Sequence, residues 1–301
     1  MMSNKRLLYI AGPTAVGKTA FSIALAKHIQ TEIISCDARQ CYKEMSIGTA
    51  VPSLEERDDI PHHFIQNKSI NQTFGAGDFE NEGLHLLQRL FQKHHTLIMV
   101  GGSGLYAKAL MEGLDIFPDI SEKAKDLVSK LYKSSGLEGL QKALSRIDPA
   151  YYKKVDHFNT RRLIRALEVS ETAQKPYSSF LGKSNKDRFF KSQTLLLTRP
   201  RSQLYKLINK RVEKMTNKGL EKEAQSLYSK RELSSLQTVG YREWFDHFEG
   251  KLSRNKVISE IQKNSRRYAK RQMTWFKKIE STEIKVGEFE ETLKQILKNI
   301  K

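Results

Sequence analysis

Gly12, Gly17, Lys18 and Thr19 have the spacing in this 301-residue chain that most directly implies chemistry. They belong to Gly12-Pro13-Thr14-Ala15-Val16-Gly17-Lys18-Thr19, a GxxxxGK[ST] pattern between a short apolar run and a helical one. The two glycines allow dihedrals and a close backbone approach that side chains would forbid. The loop's N–H groups and the positive end of the next helix then converge on an anion. Lys18 adds a point charge, and Thr19 offers a hydroxyl to a metal ion. The pattern implies a phosphorylated ligand. It does not by itself specify ATP.

Four further groups of residues could carry chemistry. Asp37, in Asp37-Ala38-Arg39-Gln40, follows an apolar segment. A carboxylate there can hold Mg²⁺, act as a base beside a phosphate loop, or simply cap a turn. Gly101-Gly102-Ser103-Gly104 is a second strand-to-loop turn, with Ser103 placed to cap the next helix. Arg161, Arg162 and Arg165 lie at helical spacing, which suits either phosphates or a solvated helix face. Residues 251–280 hold ten Lys/Arg and two Glu, interleaved with Tyr268, Trp275 and Phe276. For Arg267, Lys270 and Arg271 this suits an RNA surface. Trp275 and Phe276 read as core. His62-His63 has no evident third ligand and reads as structural.

The elements that must position these residues alternate. Strands are expected over 5–11, 32–35, 96–100 and 193–198, with helices over 17–29, 78–93, 201–218, 220–230, 240–248 and 253–278. Alternation of this kind implies a parallel α/β sheet with ligands at the carboxyl ends of its strands. The phosphate loop, Asp37 and Ser103 should therefore share one crevice. Residues 121–174 show helical periodicity without a strand. The expected organisation is a core of residues 1–115 and 193–301, carrying basic C-terminal helices, with an all-helical insertion over 116–192.

The net charge of +18 favours a polyanionic partner, nucleic acid first. No apolar run is long enough to span a bilayer, no signal peptide is evident, and two cysteines cannot build a zinc site alone. A cytoplasmic location is expected.

Taken in order, these motifs resemble the tRNA dimethylallyltransferase (tRNA isopentenyltransferase) family. The matches are the 12–19 loop, Ser35 through Gln40 with Tyr42, Ile47 through Ala50, His62-His63 and Gly101 through Tyr106. Next come Asn159 through Arg162 leading to Val169, Arg211-Val212 with Met215 and Gly219-Leu220, and Val239 through Glu243. Tyr268 through Gln272 with Thr274-Trp275-Phe276 completes them, so the likeness spans about residues 6–278.

The resemblance implies transfer of a dimethylallyl group from dimethylallyl diphosphate to the exocyclic amine of the adenosine just 3′ of the anticodon in tRNA. It implies that Gly12, Pro13, Thr14, Ala15, Val16, Gly17, Lys18 and Thr19 hold the diphosphate, with Mg²⁺ beside Thr19. Asp37 would hydrogen-bond or deprotonate the amine, Lys18 and Arg211 would stabilise the leaving group, and Ser103 would lie near the adenosine. Expected tRNA contacts are Asp37, Ala38, Arg39, Gln40, Ser103, Lys125, Arg161, Arg162, Leu163, Ile164, Arg165, Lys270, Arg271 and Gln272. Ala38 stands where the family usually has Ser, Ser103 where it has Thr, and Gln66 where it often has Asp. No cysteines follow the basic helix, so a bacterial type without a zinc-finger extension is expected. A monomer is expected. The competing readings are a prenyltransferase for free adenosine nucleotides, a P-loop kinase or ATPase, and a non-catalytic RNA-binding protein.

Overall fold

A computed structural model describes residues 5–182 and 187–300. Six strands form one sheet: β1 (Arg6–Ala11), β2 (Ile33–Ser35), β3 (His62–His63), β4 (Thr96–Gly101), β5 (Lys191–Thr198) and β6 (Thr282–Lys285). Their order is β3-β2-β4-β1-β5-β6, and every pair is parallel. Helices flank the sheet, so the parallel α/β class expected from the alternation is the one that forms.

Strand β1 lies between β4 and β5, and a strand covered on both faces must be apolar on both. Leu7 through Ala11 are accordingly fully buried. Leu7 and Tyr9 face a core shared with the C-terminal helices and include Trp244 and Phe276 among their neighbours in that cluster. Leu8 and Ile10 face a second core with the helices Lys18–Ile29 and Arg201–Asn217. In register, Ala11 lies opposite Gly101 and Leu196, so the strand ends bearing the sequence motifs fall on one edge.

Two strands and the helices Leu54–Arg57 and Phe289–Asn299 lie outside the sequence expectation. His62-His63, read as loop, forms the short edge strand β3 beside Ile33 and Ile34. Strand β6 and the helix Phe289–Asn299 follow the basic helix. β6 reads Thr-Glu-Ile-Lys with only Ile284 buried, so it carries almost no hydrophobic pattern.

The chain falls into two compact units, Met1–Met111 with Arg188–Lys301, and Glu112–Asp187. Within the second, the helices Glu122–Ile147 and Thr160–Ala173 pack Val128, Leu140, Leu144, Leu163 and Leu167 into a small core. Gly136 breaks the longer helix with φ 57° and ψ −151°. Asp148 is buried but satisfied: it accepts from the Tyr151 N–H at 2.9 Å and from the N–H and hydroxyl of Ser178 at 2.6 and 2.9 Å.

Candidate active site

The loop between β1 and the helix Lys18–Ile29 follows Gly12, at φ 150°, where a Cβ would come within 2.8 Å of the Leu197 carbonyl oxygen. Gly17 at φ 112° and Ala15 at φ 65° complete the turn. A left-handed alanine costs on the order of 1–3 kcal/mol and persists only where its surroundings enforce it. The Lys18 ammonium donates to the carbonyls of Gly12 and Pro13, both at 2.8 Å. Thr19 is exposed on the first helical turn.

Asp37 follows β2, and its Oδ1 accepts from the N–H groups of Arg39 at 2.8 Å and Gln40 at 3.2 Å. The Ser103 hydroxyl accepts from the Ala38 N–H at 3.0 Å, which ties the end of β4 to the end of β2. Gly101 is required there, since a Cβ would lie 1.9 Å from the Cys36 carbonyl oxygen. Gln272 makes the third tie. Its Oε1 accepts from the Thr14 N–H at 2.9 Å, and its Nε2 donates to the Gly102 carbonyl at 3.0 Å.

These elements surround a pocket of about 120 Å³. Asp37, Arg39 and Arg211 supply its charged groups, and Thr14, Thr49, Thr238 and Ser265 its hydroxyl-bearing ones. Ile208, Val212, Met215, Val239 and Ile261 supply an apolar wall, and Tyr268 lines it too. Arg211, from the helix Arg201–Asn217, donates to the Thr49 carbonyl at 3.3 Å. Burial, and then the charge of Arg211, push the Lys18 ammonium down to about 7, against the opposite pull of Asp37. Burial also lowers the Arg211 guanidinium, again opposed by Asp37. Burial and the Asp37 charge raise the Tyr268 phenol well above its ordinary value. Two cations and one carboxylate thus converge where little water screens them, an arrangement that favours a bound polyanion.

Glu223 escaped the sequence reading, because one glutamate on an amphipathic helix resembles a solvated charge. Its carboxylate accepts from the N–H groups of Ser46 at 3.0 Å, Ile47 at 2.8 Å and Gly48 at 2.8 Å, and from the Tyr241 hydroxyl at 2.7 Å. That loop presents the Thr49 carbonyl, which also accepts from Gln40 Nε2 at 3.1 Å. Gln40 therefore bridges the Asp37 turn and the Glu223-held loop. The only available signal was the neighbouring motif Gly219-Leu220.

On the helix Arg254–Phe276, Arg267, Lys270 and Arg271 are exposed, with the Arg271 guanidinium 5.8 Å from the Tyr268 ring centroid. Phe276 is core and Trp275 is half-buried against it. Gln272 is buried, its amide engaged within the protein as described. In the second unit, Arg161, Arg162 and Arg165 are exposed, Ile164 is half-buried, and Leu163 is fully buried in that unit's core. Lys125 is exposed and paired with Glu122 at 2.6 Å. His63 is 2.6 Å from Glu32, which His94 also approaches at 3.4 Å, and His62 Nδ1 meets the Ile60 carbonyl at 2.7 Å. Cys36 and Cys41 are buried and unpaired with each other.

The IPP transferase family model matches residues 40–279. The tRNA dimethylallyltransferase of Christiangramia forsetii is 50% identical over 295 residues, covering 98% of this chain and 97% of the relative. That of Flavobacterium johnsoniae is 48% identical over 284 residues, covering 92% of each. Among solved structures, the full-length tRNA isopentenylpyrophosphate transferase of Bacillus halodurans superposes with a TM-score of 0.72 at 34% identity, covering 98% of this chain and 95% of that one. A eukaryotic dimethylallyltransferase acting on tRNA shares the fold with a TM-score of 0.79 at 24% identity, over 93% of this chain and 74% of its own.

Proposed function

This chain belongs to the IPP transferase family, and from that premise we propose that it moves a dimethylallyl group from dimethylallyl diphosphate to the exocyclic amine of the adenosine just 3′ of the anticodon in tRNA. One observation carries the reading: a single pocket in which the phosphate-loop residue Thr14, Asp37 and Arg211 meet an apolar wall of Ile208, Val212, Met215, Val239 and Ile261. An allylic diphosphate has that same division, with a charged head and a hydrocarbon tail.

The 12–19 loop, with Lys18 and Arg211, binds the diphosphate. As the amine nitrogen attacks the allylic carbon, the carbon–oxygen bond breaks and its electron pair leaves on the diphosphate. Lys18, Arg211 and the loop N–H groups stabilise that growing charge, an effect strongest when the donors are already in place. Asp37 accepts the proton released by the amine. Ser103 positions the 37–40 turn through its bond to Ala38.

Among the described residues, no three His, Cys, Asp or Glu side chains are grouped to hold a metal. Mg²⁺ fits a different donor set, since it is commonly held by one or two protein oxygens together with substrate phosphates. The exposed Thr19 hydroxyl would hold it and so add positive charge beside the diphosphate.

Ala38, Arg39, Gln40, Lys270 and Arg271, with Lys125, Arg161, Arg162, Ile164 and Arg165 of the second unit, form the proposed RNA contacts. Gln272 and Leu163 support those surfaces from inside. No helix among the described residues is long and apolar enough to cross a membrane, and action as a monomer in the cytoplasm is part of the proposal.

The test offers labelled dimethylallyl diphosphate and Mg²⁺ with unmodified tRNA and AMP side by side, while ATP hydrolysis is followed in parallel. Label in tRNA alone is expected. Label in AMP, or phosphate released from ATP with neither acceptor labelled, would overturn the proposal.

A further inference from the structure

Phe158 stands at the entry to the helix Thr160–Ala173 in the second unit with 82% of its surface exposed, more than any other large apolar side chain among the described residues. A single exposed apolar residue is ordinary. What sets this one apart is the backbone beneath it, which is pinned on both sides. Asp156 Oδ1 accepts the Phe158 N–H at 3.0 Å, and the Phe158 carbonyl accepts the Thr160 N–H at 3.2 Å. The preceding His157 ring stacks on Tyr152, with centroids 4.1 Å apart and planes within 9°, and its Nε2 meets the Tyr152 carbonyl at 2.7 Å. Gln141 Nε2 donates to the His157 carbonyl at 3.0 Å. On the far side, Asn159 Oδ1 caps the helix through the Arg162 N–H at 3.2 Å. The loop is therefore held in one shape while the ring it carries stands largely in solvent.

The charges around it have one predominant sign. Lys153, Lys154, Arg161 and Arg162 are all exposed within five residues, and Asp156, the acid among them, is occupied in holding the Phe158 backbone. The opposite face of the helix is fixed by Leu163, Ala166 and Leu167 in the core, so the arginines face outward. A rigid, solvated ring among cations matches an unstacked base and its flanking phosphates in a single-stranded RNA loop. It does not match an apolar protein face, which the charges would have to desolvate. We infer that Phe158 is a stacking platform for a nucleobase of the RNA substrate's loop, with Arg161 and Arg162 on the adjacent phosphates. The inference rests on the RNA-modifying reading given above. Because the loop is already ordered, little conformational freedom is lost on binding.

The experiment measures binding of an anticodon stem-loop RNA over a salt series. Stacking on one base is lost with the ring but involves no counterion, so F158A should bind about 5- to 150-fold more weakly with the slope of affinity against salt unchanged. F158W should restore the affinity and show emission quenched by RNA beyond that of the two native tryptophans, while F158L should not restore it. R161E should instead flatten the salt slope by about one. Thermal melting of F158A should stay close to the parent's, since the ring is mostly exposed. Wild-type affinity in both F158A and F158L would overturn the inference. So would full rescue by F158L, or an RNA-free dimer in sedimentation that F158A dissolves, since these would make the ring a plain apolar contact. Transfer of label to tRNA by the parent protein keeps the two readings separate. If the parent binds RNA but transfers nothing, the reaction is wrong and Phe158 is still measured. If the parent transfers and F158A binds normally, only the Phe158 assignment falls.

Discussion

Asp37 serves two ends with one carboxylate: it caps the Arg39 and Gln40 N–H groups and lines the pocket beside Arg211. The two roles are separable. Asp37→Asn keeps an oxygen for the cap but removes the base, so turnover should fall roughly 10²- to 10⁴-fold, with RNA affinity changed less than about twofold. Asp37→Ala should lose the same turnover and about 0.5–2 kcal/mol of stability as well, read as a lower urea midpoint. Near-normal turnover in the asparagine variant would remove Asp37 from the chemistry. Lys18 gives a pH prediction. Its pKa falls from 10.5 to about 7 in the folded protein, so between those values the unfolded chain binds more protons. The contribution of this group therefore makes the ligand-free protein more stable as pH rises through that window. A bound diphosphate favours the charged ammonium, so its affinity should weaken as pH climbs above about 7. Binding at pH 8 should then take up a proton. Calorimetry in buffers of differing ionisation heat measures that uptake, and Lys18→Met should abolish it.

The helix Arg254–Phe276 carries two kinds of side chain that sequence alone made look alike. Lys270 and Arg271 point outward, whereas Gln272 turns in to join Thr14 to Gly102. Lys270→Glu with Arg271→Glu should weaken tRNA binding and flatten its salt slope by about two. Gln272→Ala should leave that slope alone, raise the KM for the diphosphate donor, and cost about 1–3 kcal/mol of stability for the unsatisfied groups, read as a lower urea midpoint. If Gln272→Ala instead flattened the salt slope, Gln272 would be an RNA contact after all. The phosphate loop was legible because eight contiguous residues specify it, and the parallel alternation of elements placed Asp37 and Ser103 at its side. Glu223 and Gln272 were not legible as framework residues. Their partners are main-chain N–H and C=O groups far away in sequence, and hydrophobic periodicity reports which side chains face inward but not which amide they meet. Edge strands β3 and β6 escaped for a related reason, being too short or too polar to alternate.

At the scale of the whole molecule, most of the charge of +18 belongs to the first unit, since residues 112–187 hold fourteen Lys/Arg against eleven Asp/Glu. The exposed cations of the Arg254–Phe276 helix and those around Phe158 belong to different units. If both meet the same RNA, a variant lacking Lys270 and Arg271 and one lacking Phe158 should lose affinity additively, within about 0.5 kcal/mol, as sites that share no partner usually do. If one of the two variants binds like the parent and the double variant matches the other, only one surface meets the RNA. Strand β1 carries a further consequence, for synthesis. It is completed by β4 on one side and β5 on the other, and β5 begins about 180 residues after β1 ends. At roughly 5–20 residues per second, a nascent chain holds β1 with one open, apolar edge for about ten to forty seconds. The second unit, built from helices near one another in sequence, is made during that interval and can fold from local contacts. The phosphate loop closes later still, because Gln272 lies about 80 residues beyond the start of β5. A ribosome-bound fragment ending before β5 should therefore present the strand most in need of a chaperone.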